Sequence, residues 1–183
     1  MKKIFFILFI FSSYLAAEIF YVIEDKVEIF DPKNQQKIGT MARGTFGESI
    51  RDEGQKIILK VNGYLKSDDS KTLYATPNTT MPLITFDKTN KNTTLEIAIA
   101  KDKISNEQAK AWRDAEFLYY DTCSMCHAAH APKEHNMLEW EGIFNTMRAF
   151  AMPTDEEADI IIQYLKAHAN DGYATDDEDE SVE

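Results

Sequence analysis

The stretch Cys123-Ser124-Met125-Cys126-His127 constrains this chain more than any other, because it holds both cysteines of the sequence. Two thiols separated by two residues and followed at once by an imidazole can all meet one flat ligand if the stretch forms a helical turn. A dithiol/disulfide pair of the thioredoxin kind would not need the histidine, and a structural zinc site would need a further ligand such as His130. The spacing alone therefore favours a flat ligand held by all three side chains over a dithiol/disulfide pair or a zinc site.

The Cys-x-x-Cys-His spacing is typical of the covalent attachment of haem c. In such a site the sulfurs of Cys123 and Cys126 form thioethers with the macrocycle, and the imidazole of His127 binds the iron from the proximal side. The sequence contains this motif once and has no internal repeat. We therefore expect one covalently attached haem c in the chain.

The N-terminus predicts export to the periplasm. Lys2 and Lys3 precede an apolar run from Ile4 to Phe11, and the residues that follow up to Ala17 complete the pattern of a secretory signal peptide. We expect cleavage after Ala17, with an uncleaved N-terminal anchor as the alternative. The apolar run is too short to span a bilayer, which takes about 20 residues, so no stable membrane span is expected. Export agrees with haem attachment, because paired thiols left free in an oxidising compartment would form a disulfide.

The chain is acidic, with a formal net charge of -11 that becomes more negative when Lys2 and Lys3 leave with the signal peptide. Such a charge argues against nucleic acid and anionic lipid as partners and favours protein surfaces rich in lysine and arginine. Acidic residues fill every position from Asp176 to Glu180. We expect residues 173–183 to form a disordered acidic tail.

Residues 18–102 consist of short β-type runs separated by turn signals such as Asp31-Pro32-Lys33-Asn34. Apolar and polar residues alternate through several of these runs, which predicts a small barrel or sandwich with one buried face. The stretch from Val27 to Leu65 resembles a bacterial SH3-like module, through Ile38-Gly39-Thr40 followed by Arg43-Gly44-Thr45. We expect a docking or spacer module here, with a peptide or cell-wall binder as the alternative.

Beyond Lys103 apolar residues recur at helical intervals. Ser105 and Gln108 have the spacing of a capping box, which predicts the start of a helix. The helical pattern continues up to the Cys-x-x-Cys-His motif. The predicted helix therefore positions Cys123.

Two further helices are predicted after the motif. One runs from about Leu138 to Phe150 and carries Trp140 and Met147 two turns apart on one apolar face. The last begins at Thr154, whose capping-box partner is Glu157. This part of the chain is therefore expected to be all-α.

These helices and motifs resemble a known family. An aromatic helix leading into Cys-x-x-Cys-His, and a last helix with Asp155-Glu156-Glu157 at its start and Tyr164-Leu165 further on, resemble class I cytochromes c. A closer resemblance is to the single-haem C-terminal domain of the pentahaem cytochromes that serve trimethylamine N-oxide reductases. It is carried by Cys126-His127-Ala128-Ala129, His135, Trp140, Met147-Arg148 and Tyr164-Leu165-x-x-His168-Ala169. The chain lacks the membrane-anchored tetrahaem part of that family.

The patterns and the resemblance together predict an α+β chain. A small β-rich domain, an SH3-like barrel or sandwich, is expected to precede an all-α cytochrome c-like haem domain. The expected divisions are a signal peptide at 1–17, the β-rich domain at 18–102, the haem domain at 103–172 and the acidic tail at 173–183.

The resemblance implies an electron-transfer protein and not an enzyme. Its expected duty is to take electrons from a quinol-oxidising cytochrome and pass them to a periplasmic molybdenum reductase acting on N-oxides or S-oxides, in anaerobic respiration. One alternative is a carrier that accepts electrons from a periplasmic dehydrogenase, as in sulfite oxidation. Another is a haem-based sensor or small peroxidase, which would need an open iron site and a distal polar residue such as His135.

The sequence identifies the distal iron ligand less clearly than the proximal ligand, His127. His130 lies three residues from His127, and at about 3.6 Å per residue the chain between them spans about 11 Å at most, too little for two imidazoles on opposite sides of one iron. Met125 lies inside the attachment loop and is excluded likewise.

Five candidates for the distal position survive this test: His135, Met137, Met147, Met152 and His168. Met147 is favoured, because it lies two turns from Trp140 on the helix face that should cover the porphyrin. His135 and Met152 remain alternatives, and His168 is expected to be structural.

Overall fold

The computed structural model describes residues 17–78 and 80–174. The predicted signal peptide, apart from Ala17, and residues 175–183 of the predicted tail lie outside the described residues. None of the helices in the described ranges has both the length and the apolar character that crossing a membrane requires.

Within the described ranges, ten strands form one antiparallel sheet. They are β1 (Ile19–Val22), β2 (Val27–Phe30), β3 (Lys37–Met41), β4 (Phe46–Glu53), β5 (Lys56–Asn62), β6 (Tyr64–Lys66), β7 (Asp69–Tyr74), β8 (Pro82–Phe86), β9 (Thr94–Ala100) and β10 (Ile104–Ser105). Their order across the sheet is β10-β1-β4-β5-β9-β2-β3-β8-β7-β6. One core lies among the strands, where Ile29, Leu59 and Ile97 are fully buried.

Three α-helices follow the sheet in the described chain: α1 (Gln108–Cys123), α2 (Met137–Ala151) and α3 (Asp155–Ala167). Their apolar faces form a second core around Trp112, Tyr119, Trp140 and Tyr164. A short 3-10 turn over Pro132–Glu134 lies in the loop between α1 and α2. The prediction that a helix positions Cys123 is confirmed, since α1 ends at that residue.

Of the two predicted capping boxes, the one at α3 is present and the one at α1 is not. At α3 the prediction is confirmed, because the Thr154 hydroxyl accepts a hydrogen bond from the backbone N–H of Glu157, whose carboxylate accepts one in return from the N–H of Thr154. At α1 it is wrong, because Ser105 belongs to β10 and its hydroxyl accepts from the N–H of Glu107, which is itself the N-cap residue.

The expected fold, a small β-rich SH3-like domain followed by an all-α cytochrome c-like domain, is wrong. The described chain is a ten-stranded antiparallel sheet with three helices, and the sheet extends past residue 102 through β10. Tyr21 and Val22 of β1 pair with Ser105 and Ile104 of β10, across more than 80 residues of sequence. Alternation along a strand indicates which side chains are buried, but not which distant strand supplies the hydrogen bonds. The division of the chain at residues 102 and 103 stays a prediction.

Side chains also join the helices to the sheet. Arg43 donates one hydrogen bond to the Ala111 carbonyl in α1, 2.9 Å away, and another to the Asp25 carboxylate at 3.2 Å. Lys166 of α3 donates to the carbonyl of Thr80, beside β8. Tyr173 packs against both cores. These contacts hold the helices against the strands, and the one from Arg43 fixes α1 near its N-terminal end.

Candidate functional site

The Cys-x-x-Cys-His motif lies at the C-terminal end of α1. Cys123 is the last residue of the helix and is half-buried, whereas Ser124, Met125 and Cys126 form an exposed turn. His127 follows in a bend, so the motif as a whole does not lie on one regular helical turn. Both thiols are free.

The two thiols differ in their surroundings. Burial raises the pKa of the Cys123 thiol, because the second core desolvates the thiolate. Cys126 is exposed to solvent. The sequence treats the two cysteines alike, and only their positions in the fold distinguish them.

We expect this difference to appear as unequal alkylation. In reduced protein with both thiols free, iodoacetamide at pH 8 should modify Cys126 first, because the thiolate is the nucleophile and its fraction falls about tenfold for each unit by which a pKa is raised. Peptide mass spectrometry over a time course measures the order of modification. In denaturant the two rates should converge, and faster modification of Cys123 in the folded protein would contradict the described burial.

A largely apolar cavity of about 480 Å³ adjoins the motif, and we call it the cysteine pocket. It lies between the motif and α2, with Leu165 of α3 contributing to the wall. Its lining residues are Tyr119, Thr122, Cys123, Met125, Cys126, His127, Ala129, His130, Trp140, Ile143, Phe144, Met147, Phe150, Ala151 and Leu165. Among these described residues there is no carboxylate, lysine or arginine. The pocket therefore suits a flat, mostly apolar group better than an ion.

The imidazole of His127 has a defined orientation. Its Nδ1 lies 2.8 Å from the backbone carbonyl oxygen of Ala128. A carbonyl only accepts hydrogen bonds, so Nδ1 is the donor in this contact, and in the neutral ring this tautomer has its lone pair on Nε2. This is the arrangement in which a histidine is ready to bind a metal through Nε2.

Two buried aromatic residues hold the loop that follows the motif. The Tyr119 hydroxyl donates to the carbonyl of His130 at 2.8 Å, and the Trp140 indole donates to the carbonyl of Pro132 at 2.7 Å. Burial raises the pKa of the Tyr119 phenol, which keeps it protonated as a donor. Trp140 also lies in the pocket wall, and its role beside a bound group stays a prediction.

The structure separates the candidates for the distal position. Met147 lines the cysteine pocket, 40% exposed. Met152 is 80% exposed at the left-handed C-cap of α2, and it does not line the pocket. His135 is also absent from the pocket wall and packs edge-on against Trp140, with ring centroids 4.9 Å apart.

The remaining two candidates are buried in the second core. Met137 accepts a hydrogen bond at its sulfur from the Thr80 hydroxyl, 3.2 Å away. The His168 ring lies 3.0 Å from the carbonyl of Tyr164 and packs edge-on against Trp112. Met137 therefore contacts the segment that precedes β8, whereas His168 packs between α1 and α3.

Sequence reasoning missed the role of one residue beside the site. Ile143 and Phe144 line the pocket three and four residues after Trp140, on the apolar face that helical periodicity predicts for this helix. Glu134 was missed, although it lies four residues after His130. Its carboxylate is 2.7 Å from the His130 Nδ1, and this contact holds the pKa of Glu134 below its usual range.

Comparisons with known proteins identify no relative. No protein-family description matches the chain. No curated protein gives a significant match. No solved structure gives a significant match either.

Proposed function

We propose that this protein is a periplasmic monohaem c-type cytochrome that carries electrons to a terminal reductase, with its haem in the cysteine pocket. One observation carries the proposal: both thiols of the Cys-x-x-Cys-His motif, the His127 imidazole and the Met147 thioether line a single apolar cavity of about 480 Å³. Pockets for small molecules and cofactors occupy about 300–1,000 Å³, and this one lies in that range.

The two thiols, the imidazole and the thioether are the chemical groups that would hold a haem c. Each thiol would add its sulfur to one carbon of a haem vinyl group and its hydrogen to the other, so attachment needs no oxidant and releases no by-product. Cys123 and Cys126 would then hold the macrocycle covalently, and His127 would present Nε2 to the iron, with its Nδ1 bonded to the Ala128 carbonyl. The Met147 thioether would supply the distal ligand.

Bound haem supplies one-electron chemistry, with the iron cycling between its ferric and ferrous states. The chain tunes that chemistry through its ligands and its apolar wall. A thioether ligand favours the reduced state relative to a second imidazole. Side chains such as Ile143 and Phe144 give the pocket an apolar wall, which would also disfavour the more highly charged oxidised state.

The partner follows from charge and resemblance. Acidic residues outnumber basic ones by 31 to 20, which favours docking to a basic protein surface. The resemblance to cytochromes that serve trimethylamine N-oxide reductases supports a periplasmic molybdenum reductase of N-oxides or S-oxides as acceptor, and a quinol-oxidising cytochrome as donor. The same surface would serve equally for a carrier that accepts electrons from a periplasmic dehydrogenase.

Replacement of Met147 by alanine tests the proposal. We expect Met147→Ala to keep covalent haem, to lose the thioether-to-iron absorption of the oxidised protein completely, and to bind carbon monoxide when reduced. Met152→Ala is the matched control: it removes a methionine five residues further along that does not line the pocket, and it should leave both properties unchanged.

Two outcomes would contradict the assignment. If Met147→Ala keeps the thioether absorption while His135→Ala loses six-coordination, the distal ligand is His135. If the unmodified reduced protein already binds carbon monoxide, the iron has an open position, and the protein is a sensor or a peroxidase instead of a carrier.

A further inference from the structure

The loop between α1 and α2 brings together three side chains to which the proposed haem site gives no role, although one of them, His130, also lines the cysteine pocket. They are His130, Glu134 and His135, and each offers one nitrogen or oxygen donor within 4.8 Å of the other two. His130 and Glu134 are exposed and His135 is half-buried, so an ion can reach the cluster from solvent. We propose that these three residues bind a divalent transition-metal ion, at a site distinct from the Cys-x-x-Cys-His motif.

The backbone that carries the three ligands is anchored at three points. The carbonyl of His130 accepts from the Tyr119 hydroxyl, and the carbonyl of Pro132 accepts from the Trp140 indole. The carbonyl of His135 accepts from the backbone N–H of Asn170, just beyond α3, at 3.1 Å. A loop held at these points has lost much of its freedom before an ion arrives, which lowers the entropic cost of binding.

The side chains are oriented as well. Glu134 uses one carboxylate oxygen to accept from the N–H of Ala131 at 2.9 Å, which leaves the other oxygen to face His130. The His135 ring stands edge-on to Trp140, and its centroid is 5.7 Å from that of His130. A tetrahedral zinc site with bonds of about 2.1 Å separates its donor atoms by about 3.4 Å, so small side-chain rotations would close this cluster around an ion.

The ligand set selects the class of metal. Two imidazoles and one carboxylate suit Zn²⁺ and its neighbours in the first transition series, whereas Ca²⁺ and Mg²⁺ prefer oxygen ligands throughout. Three protein ligands leave one tetrahedral position open to water or to a group from a partner. The carboxylate of Glu139, 3.8 Å from the His135 Nδ1, adds negative charge beside the site.

Calorimetry with ZnCl₂ tests the proposal on the full-length protein as purified, after removal of adventitious metal with a chelator. We expect one Zn²⁺ bound per chain. His130→Ala, His135→Ala and Glu134→Gln should each weaken the affinity by about tenfold or more, because each removes a direct ligand. Glu134→Gln is the most specific of the three, since glutamine keeps the acceptor for the Ala131 N–H and preserves the loop.

Two controls separate this site from others. Glu156→Gln removes an exposed carboxylate of α3 outside the cluster and should leave Zn²⁺ affinity unchanged. The double variant Cys123→Ser/Cys126→Ser should also keep the affinity, because the proposed site uses neither thiol. The cluster contains neither thiol, so for a double variant that circular dichroism shows to be folded this expectation holds with or without haem.

Several outcomes would overturn the inference. They are the absence of Zn²⁺ binding, unchanged affinity in all three ligand variants, and loss of affinity in the double cysteine variant alone. The last result would place the metal on the cysteines, with His127 or His130 as a further ligand. Circular dichroism of each variant is compared with that of the unmodified protein. A weakened Zn²⁺ affinity counts only for a variant that is folded.

Discussion

Cys126→Ala is expected to abolish the two-point covalent attachment of haem. Cys126 is exposed in the turn after α1, so its replacement removes a thiol without opening a cavity in either core. Cys123 packs against the second core, so a failure of Cys123→Ala could reflect lost packing as well as lost chemistry. Cys126→Ala therefore isolates the chemistry of attachment.

Two measurements report covalent attachment: the amount of haem that remains on the chain after denaturing electrophoresis, and the mass of the intact protein. We expect the two-thioether product to disappear and the helical part of the protein to lose stability, because a bound haem would fill the cysteine pocket and stabilise the folded state. Ser124→Ala, in the same turn, is the matched control and should attach haem normally. Folded Cys126→Ala protein that holds its haem as tightly as the unmodified protein, with the unmodified spectrum, would refute the proposed role of the motif.

Gly44→Ala should be among the most destabilising single changes outside the motif. Gly44 lies in the turn between β3 and β4 with a φ of +71°, and a Cβ there would lie 1.9 Å from the Cζ2 of Trp112 in α1. The left-handed conformation costs an alanine about 1–2 kcal/mol. Displacing Trp112 adds about 1–3 kcal/mol of overpacking. The free energy of unfolding should therefore fall by several kcal/mol.

Gly54→Ala is the matched control for this change. Gly54 has a similar φ of +79°, but nothing lies within 4 Å of a Cβ placed there. It should cost only the backbone term, so the difference between the two variants in urea unfolding measures the contact between the β3–β4 turn and α1. Equal destabilisation of the two variants would contradict the described packing of Trp112 on Gly44.

Local chemistry explains which features could be predicted from the sequence. The Thr154–Glu157 capping box is a contact between residues three apart, and it occurs as predicted. The strand from Val27 to Phe30 also follows its alternating pattern, since Val27 and Ile29 are buried and Glu28 is exposed. The predicted Ser105 cap is wrong because Ser105 pairs with Tyr21 of β1, more than 80 residues away, and local spacing does not indicate such a distant partner.

The sequence by itself determined the spacing of the thiols and the imidazole, because that spacing is a property of consecutive residues. It also determined that a helix leads into Cys123, although the structure ends that helix at Cys123 itself. Only the tertiary structure decided that ten strands share one sheet, that Met147 lines the pocket with the motif, and that His135 turns instead toward His130 and Glu134. These facts depend on contacts between distant segments, where many pairings satisfy the same local pattern and the packing of the whole chain selects one.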